Sequence, residues 1–453
     1  MSPVLLEVIK ALGFGCGYIF LFIIAEVIHK KKSVPVEWTR KGVHFLSASI
    51  SIVFPLVFKY TLTLFILAVS FLIILIVGEK KGLLSSIGGV ERKTKGEFYF
   101  PISIFIVYVL SHNNFVLYAV SMAVLAISDP LAALIGKSYG HVKYRVQTDL
   151  KSLEGSVTFF FATFLIVHIP ILLFTNVSRA NSLLISLVVA ILVTCLESIS
   201  LEGSDNLIIP LGTFFILYKL ITKPTEMVFL QVMILIFIIV TTIILTYRVH
   251  KIGSSGLITI ILTSYAAWAL GGLNYYIPTL LFFFGFLFMN IVFRVKPGDD
   301  PALFRTKAVL KLVYIPMAIV FAANFFSLED FLSTVFLVSV STHLTLLWRH
   351  WYLDRNVVSR FFRRWRKIFI HCGSVVSFLI VVLPWLFIFR RERILVLSAV
   401  LFIFNLLADA FYTILRSTIY REIDYMKNRA LRNFVNLFIT MLFLIQKFLG
   451  RIG

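Results

Sequence analysis

Residues 61–77 read TLTLFILAVSFLIILIV, with no charged side chain, no proline and no glycine. At about 1.5 Å rise per residue, a helix of this length crosses most of a hydrocarbon core about 30 Å thick. The run lacks the period-two alternation of a barrel strand, so a helix in lipid is the reading it supports. Comparable blocks recur at 11–28, 115–135, 157–174, 229–246 and 368–389. The whole chain divides into about sixteen such segments, and the sequence predicts an all-α, polytopic integral membrane protein with about 14–16 transmembrane helices.

Composition agrees. The 453 residues are 59% hydrophobic and only 14% charged, with a mean hydropathy of +0.96. A soluble domain carries about 25% charged residues and could not cover itself with so few. Cys16, Cys195 and Cys372 are far apart and form no CxxC or Cys/His cluster, so neither a disulfide framework nor a zinc site is expected. Residues 5–28 read as a retained first span, because no small-residue cleavage site follows them.

The net charge of +21 would suggest nucleic acid in a soluble protein. Here the bases lie between spans, where membrane topology and anionic lipid headgroups account for them, and no nucleic-acid partner is expected. With the N-terminus outside, alternate loops collect nearly all of the Lys and Arg. Lys30 to Arg40 and Lys41 come first, then Lys80 to Lys95, Lys137 to Lys151, and the later basic loops up to Arg432. Arg390, Arg391 and Arg393 are the exception. By the positive-inside rule the basic side is cytoplasmic, and every polar cluster of the first half falls on it.

Five such clusters interrupt residues 1–225. Arg40, Lys41 and His44 share a helix face suited to a phosphate or a lipid headgroup, or simply anchor a helix in the interface. Arg92 and Glu97 bracket Gly96 at the start of a Pro-containing span, as an interfacial anchor or as part of a phosphate site. Asp129 lies inside an apolar run, at a cost of about 3 kcal/mol on the insertion scale, and Pro130 loosens the helix there. Gly136 and Gly140 flank Lys137, offering close backbone approach and a point charge to a phosphate. Lys151, Ser152, Glu154, Gly155 and Ser156 open the next span. They could cradle phosphate at a helix N-terminus, bind Mg²⁺ or activate a hydroxyl through Glu154, or merely cap the helix. The fifth cluster runs from Glu197 to Asn206, and in it Asp205 and Asn206 follow Gly203 and Ser204 between two apolar blocks. Their oxygens suit Mg²⁺ with substrate phosphates, and equally suit a polar turn.

Known nucleotide motifs do not explain these clusters. Position 131 is Leu where a P-loop ending in Gly136, Lys137 and Ser138 requires Gly, and no strand precedes it. The protein-kinase signatures are also missing.

Taken in order, the clusters resemble the membrane family of dolichol kinase, phytol kinase and CTP-dependent diacylglycerol kinase, which is related to phosphatidate cytidylyltransferase. The resemblance rests on E-x-x-R-K-x-x-H at 37–44, R-x-x-x-G-E-x-x-F-P at 92–101, D-P-x-A-A-x-x-G-K-x-x-G at 129–140, K-S-x-E-G-S at 151–156 and D-N at 205–206. It covers about residues 1–225 and implies a CTP-dependent, Mg²⁺-requiring kinase of a membrane lipid alcohol. Asp129, Lys151, Glu154 and Asp205 would be catalytic, with Asp129 and Asp205 on the metal. Gly136, Lys137, Gly140, Ser152, Gly155, Asn206, Arg40, Lys41, His44 and Arg92 would hold the nucleotide. Residues 195–211 lack the His-Gly-Gly of the cytidylyltransferases, which makes cytidylyl transfer the alternative.

Residues 226–453 read as a second multi-span domain without an assigned role. Its intramembrane acid is Asp409, one turn beyond Asn405, and residues 348–367 are rich in Arg and aromatics, a composition suited to anionic lipid. A secondary transporter is the remaining alternative. It would place polar residues at the midplane from both halves, whereas here they gather at one face of one half.

Overall fold

The computed structural model describes residues 2–32, 36–81, 96–112, 114–146, 149–247, 253–292, 306–354, 364, 369–389, 394–419 and 425–450. Arg92, the basic residues of 355–363 and 365–367, and the Arg390, Arg391 and Arg393 cluster lie outside the described residues.

Eleven helices are long and apolar enough to cross a membrane, and three shorter apolar helices accompany them among the described residues. The protein is an all-α, multi-pass membrane protein. Contacts divide the chain into two compact units, Met1–Leu235 and Ile236–Gly453.

The first unit contains α1 (Pro3–Lys32), α2 (Val36–Ser51), α3 (Thr61–Lys80), α4 (Gly96–Ser111) and α5 (Phe115–Tyr139). A short hairpin follows, then α6 (Leu153–Phe174), α7 (Arg179–Ile199) and α8 (Asp205–Leu220). The run at 61–77 shows how lipid sorts a uniformly apolar helix. Leu64, Leu67, Phe71 and Leu75 recur every three or four residues and are buried, while Leu62, Phe65, Ile66 and Ile73 face outward.

α2 is shorter and more polar than the spans, and tyrosines tie down its carbonyls. The Tyr18 hydroxyl donates to Ser47 O at 3.0 Å and the Tyr118 hydroxyl to Ser51 O at 3.0 Å. The second bond satisfies a carbonyl that a helix C-terminus leaves without an intrahelical partner.

α5 is one continuous span with a π-helical segment, Val124–Ser128, just before Asp129 and Pro130. Proline supplies no N–H, and the wider turn absorbs the missing bond without ending the helix. The second unit repeats the device at Phe378–Val382, ahead of Pro384.

One element departs from the all-helical expectation. Strands β1 (Lys143–Val146) and β2 (Asp149–Ser152) pair antiparallel, with Lys143 opposite Ser152 and Val146 opposite Asp149. The segment joining two spans is too polar for lipid, and local pairing satisfies its backbone while Val146 and Ser152 turn inward.

α9 (Thr225–Tyr247) begins in the first unit and ends in the second, which is built around α13 (Glu329–Asp354), after α10 (Ser254–Gly271), α11 (Leu273–Val292) and α12 (Thr306–Phe325). The second unit is completed by α14 (Cys372–Ile388), α15 (Ile394–Ile419) and α16 (Tyr425–Phe448). From Leu332 to His350 every residue is buried, although Ser341, Thr342, His343, Thr345 and Arg349 lie along this stretch. Its neighbours supply matching polar atoms. Ser341 donates to Asn405 Oδ1 at 3.0 Å, Thr342 to Asn436 Oδ1 at 2.6 Å, and Arg349 Nη1 meets Asp409 Oδ2 at 2.6 Å. In lipid such bonds, with close packing, hold helices together. Asp409→Ala leaves Arg349 buried without its carboxylate and is expected to cost about 3–5 kcal/mol. The thermal unfolding midpoint in detergent reads this, and an unchanged midpoint would show that the pair does not support the unit.

Candidate active site

A cavity of about 540 Å³ opens within the first unit, lined from α1 to α6, from the end of α7 and from the start of α8. Sequence positions far apart meet there because α2, α5, α6 and α8 each bring one polar end to the same place.

The centre is Asp129, only 6% exposed. Lys41 Nζ lies 2.6 Å from its Oδ2, and His44 Nε2 lies 3.8 Å from the same oxygen. The spacing of Lys41 and His44 on α2 puts both on one side, and Arg40 lines the cavity beside them. His44 is pushed down to about 4, first by burial, against the pull of the Asp129 carboxylate. It is therefore neutral at physiological pH and able to accept a hydrogen bond.

Lys151, on β2, forms the second ion pair. Its Nζ donates to Glu197 Oε1 at 2.8 Å and to Ser200 Oγ at 3.2 Å, and it also reaches the Glu197 carbonyl. Burial alone would lower its titration, but the Glu197 and Asp205 carboxylates reverse this and hold the ammonium above its ordinary value. The hairpin that carries Lys151 is braced by Tyr144, whose hydroxyl bonds Ser156 Oγ at 2.7 Å and Ser198 Oγ at 3.2 Å. Lys137 also lines the cavity and is exposed.

Asp205 begins α8 and faces the cavity, and its Oδ1 accepts from Asn206 N at 3.0 Å. Its field reaches both His44 and Lys151. Asn206 turns its Nδ2 to Gly96 O at 2.8 Å, joining α8 to α4. The loop before it is strained, with Glu202 at φ 53° next to Gly203 at φ 84°.

The glycines have a packing role. A Cβ on Gly136 would meet Ser152 Oγ at 2.7 Å, one on Gly155 would meet Ala132 O at 2.9 Å, and one on Gly140 would meet Ser152 Cβ at 2.7 Å. Together they let α5 and α6 close on each other. Gly136, Ser152 and Gly155 line the cavity as well; Gly140 and Glu154 are not among its lining residues. Ser152 caps α6 by accepting from Gly155 N at 3.1 Å. The Glu154 carboxylate accepts from His141 N at 2.9 Å and Val142 N at 3.0 Å, which fixes the start of the hairpin.

Of the residues singled out from sequence, Arg40, Lys41, His44, Asp129, Gly136, Lys137, Lys151, Ser152, Gly155, Asp205 and Asn206 share this cavity. Ser200 and Ser47 also line it and had not been singled out, and so does Glu197, which opens the fifth polar cluster but had been given no role. Glu197 is an acid in the last turn of an apolar helix, the kind of position that marks a functional residue. Beyond His44 the wall becomes apolar, through Phe54, Leu64, Leu67 and Phe71.

A membrane protein of this kind sets cationic and carboxylate side chains at one end of a cavity and aromatic and aliphatic ones at the other. The chain is 28% identical over 221 residues to a phytol kinase from Synechocystis sp., covering 48% of this chain and 93% of that protein. Its resemblance to the dolichol and phytol kinase family is thus seen in the whole-sequence comparison as well as in the motifs, and about half of the chain lies outside the match. No protein-family model matches the chain, and no solved structure matches it significantly.

The state of His44 is testable. The unfolded chain exposes an imidazole titrating near 6.5, against about 4 in the fold. Between those values the unfolded state binds the extra proton, so stability falls as pH falls. The thermal midpoint is expected to drop between about pH 7 and pH 5, and His44→Asn to shrink that drop. An equal drop in both proteins would contradict a buried, uncharged His44.

Proposed function

We propose that the chain is a lipid-alcohol kinase that transfers the γ-phosphoryl group of CTP to a membrane alcohol at the cytoplasmic interface. The single observation that carries this is the shared cavity, in which two partly buried Lys–carboxylate pairs adjoin an apolar wall. The similarity to a phytol kinase supports the reaction class. The family resemblance supports CTP, and the distribution of Lys and Arg supports the cytoplasmic side.

Phosphoryl transfer asks a protein mainly for positioning and charge stabilisation. Lys137 and Lys151 supply positive charge for the triphosphate, with Arg40 at the cavity wall. The lipid hydroxyl meets Asp129 and neutral His44, which orient it, and its proton passes to the Asp129 carboxylate as the new P–O bond forms. The bond to the departing β-phosphate oxygen breaks, CDP leaves, and the alcohol becomes a monophosphate. Glu154 acts at a distance by fixing the hairpin that presents Lys151.

A divalent cation fits this donor set. Asp129 and Asp205 line the same cavity. That suits Mg²⁺, which takes one or two carboxylates and completes its shell with phosphate and water. Bound there by Asp129 and Asp205, it would neutralise triphosphate charge.

The test is label transfer by the purified full-length protein in detergent, with Mg²⁺ and γ-labelled CTP or ATP, offered phytol, dolichol and diacylglycerol in turn. Label is expected in a lipid alcohol with CTP, and Asp129→Asn is expected to reduce it about 100-fold or more. Pyrophosphate release from CTP with phosphatidate, and no labelled alcohol, would instead assign cytidylyl transfer.

A further inference from the structure

Ser47 is on α2 one turn beyond His44 and lines the cavity. It is 4% exposed, and its Oγ has no hydrogen-bond partner. Several other buried serines of the first unit differ. Ser51, Ser103, Ser111 and Ser121 each donate their hydroxyl to a carbonyl three or four residues back. The other cavity-lining hydroxyls are also engaged, Tyr18 with Ser47 O, Ser152 with Gly155 N, Ser156 with Ser152 O and Ser200 with Glu197 O. Ser47 is thus the one hydroxyl without a partner among the described residues that line the cavity. A buried polar atom left so is costly unless something fills its place.

Its position indicates what fills it. Along α2 the cavity wall runs through Arg40, Lys41 and His44, reaches Ser47, and continues into Phe54. Beyond Ser47 the lining is aromatic and aliphatic. Tyr18 packs edge-on to Phe71 at 4.8 Å and to Phe54 at 6.4 Å, and its hydroxyl is already committed to the Ser47 carbonyl. Among the α2 side chains that line the cavity, Ser47 is therefore the last polar one.

We propose that Ser47 receives the hydroxyl of the acceptor alcohol and holds it beside His44 and Asp129, with the tail lying along Tyr18, Phe54 and Phe71. This deepens the kinase reading and rests on it. The acceptor class follows from the wall. A single-chain alcohol whose first carbons carry no polar group fits, whereas the ester carbonyls of a diacylglycerol, close to its hydroxyl, would meet no donor there. Ser47 is a binding residue, so its loss acts on the lipid and not on the nucleotide.

The experiment uses the full-length protein in nanodiscs, wild type against Ser47→Ala and Ser47→Thr. Kinetics are followed with phytol and with dioctanoylglycerol, and equilibrium binding with tritiated phytol. Ser47→Ala is expected to raise the KM for phytol about tenfold, as loss of one hydrogen bond to a buried hydroxyl does. The KM for CTP and the thermal midpoint should stay within error, and Ser47→Thr should restore most of the loss. Wild type is expected to prefer phytol over dioctanoylglycerol. An unchanged phytol KM in Ser47→Ala, a parallel loss of CTP affinity, or equal use of dioctanoylglycerol would overturn the proposal. If wild type phosphorylates no alcohol, the kinase reading fails, and binding alone decides the inference. Weaker phytol binding by Ser47→Ala alone sustains a hydroxyl site at Ser47, and equal binding by both removes it.

Discussion

The ion pair between Lys41 and Asp129, 2.6 Å long and almost wholly buried, is the interaction on which the first unit depends. A lone carboxylate inside an apolar span costs about 3 kcal/mol on the insertion scale. The chain tolerates it because α2 brings Lys41 and His44 to the same oxygen. The π-helical turn and Pro130 open α5 just there, giving Asp129 a place where the helix is already irregular. Breaking one side of such a pair leaves a buried charge behind, so the site and the packing of α2 on α5 stand together.

The same economy governs the rest of the cavity. Gly136 and Gly155 bring two helices close enough for the hairpin to fold over their ends, and that hairpin carries Lys151 to Glu197. Asn206 bonds the Gly96 carbonyl and brings the strained turn at Glu202 and Gly203 against α4. Ion pairs and hydrogen bonds across helices hold most of the polar side chains, and Ser47 is left facing a charged chamber with an apolar extension. A water-soluble phosphate donor and a membrane-soluble acceptor need such a meeting place.

Much of this was legible in the sequence, for definite reasons. Apolar runs such as 61–77 leave lipid-crossing helices as their only economical fold, since every backbone group must be bonded within the segment. Asp129 stood out because an acid in such a run has to be paid for. The hairpin at 143–152 was not legible, because its strands are four residues each and their polarity reads as a loop. Glu154 illustrates a second limit. Its place beside Gly155 suggested contact with a reactant, but its side chain turns back to the His141 and Val142 amides, a direction that spacing cannot reveal. Ser47 was missed because one serine in a helix is ordinary, and only the partners of its neighbours make it distinct. In the second unit α13 carries a run of Ser, Thr and His, and its burial from Leu332 to His350 emerges only when the surrounding helices are in place.

The central claim is that one cavity in the first unit receives both the triphosphate and the alcohol. The most direct measurement is a cryo-electron microscopy structure of the full chain with Mg²⁺, a non-hydrolysable CTP analogue and phytol. The account predicts triphosphate density against Lys137 and Lys151, with the alcohol oxygen beside His44 and Asp129 and its tail against Phe54 and Phe71. Nucleotide or lipid density elsewhere, with this cavity filled only by solvent, would contradict it.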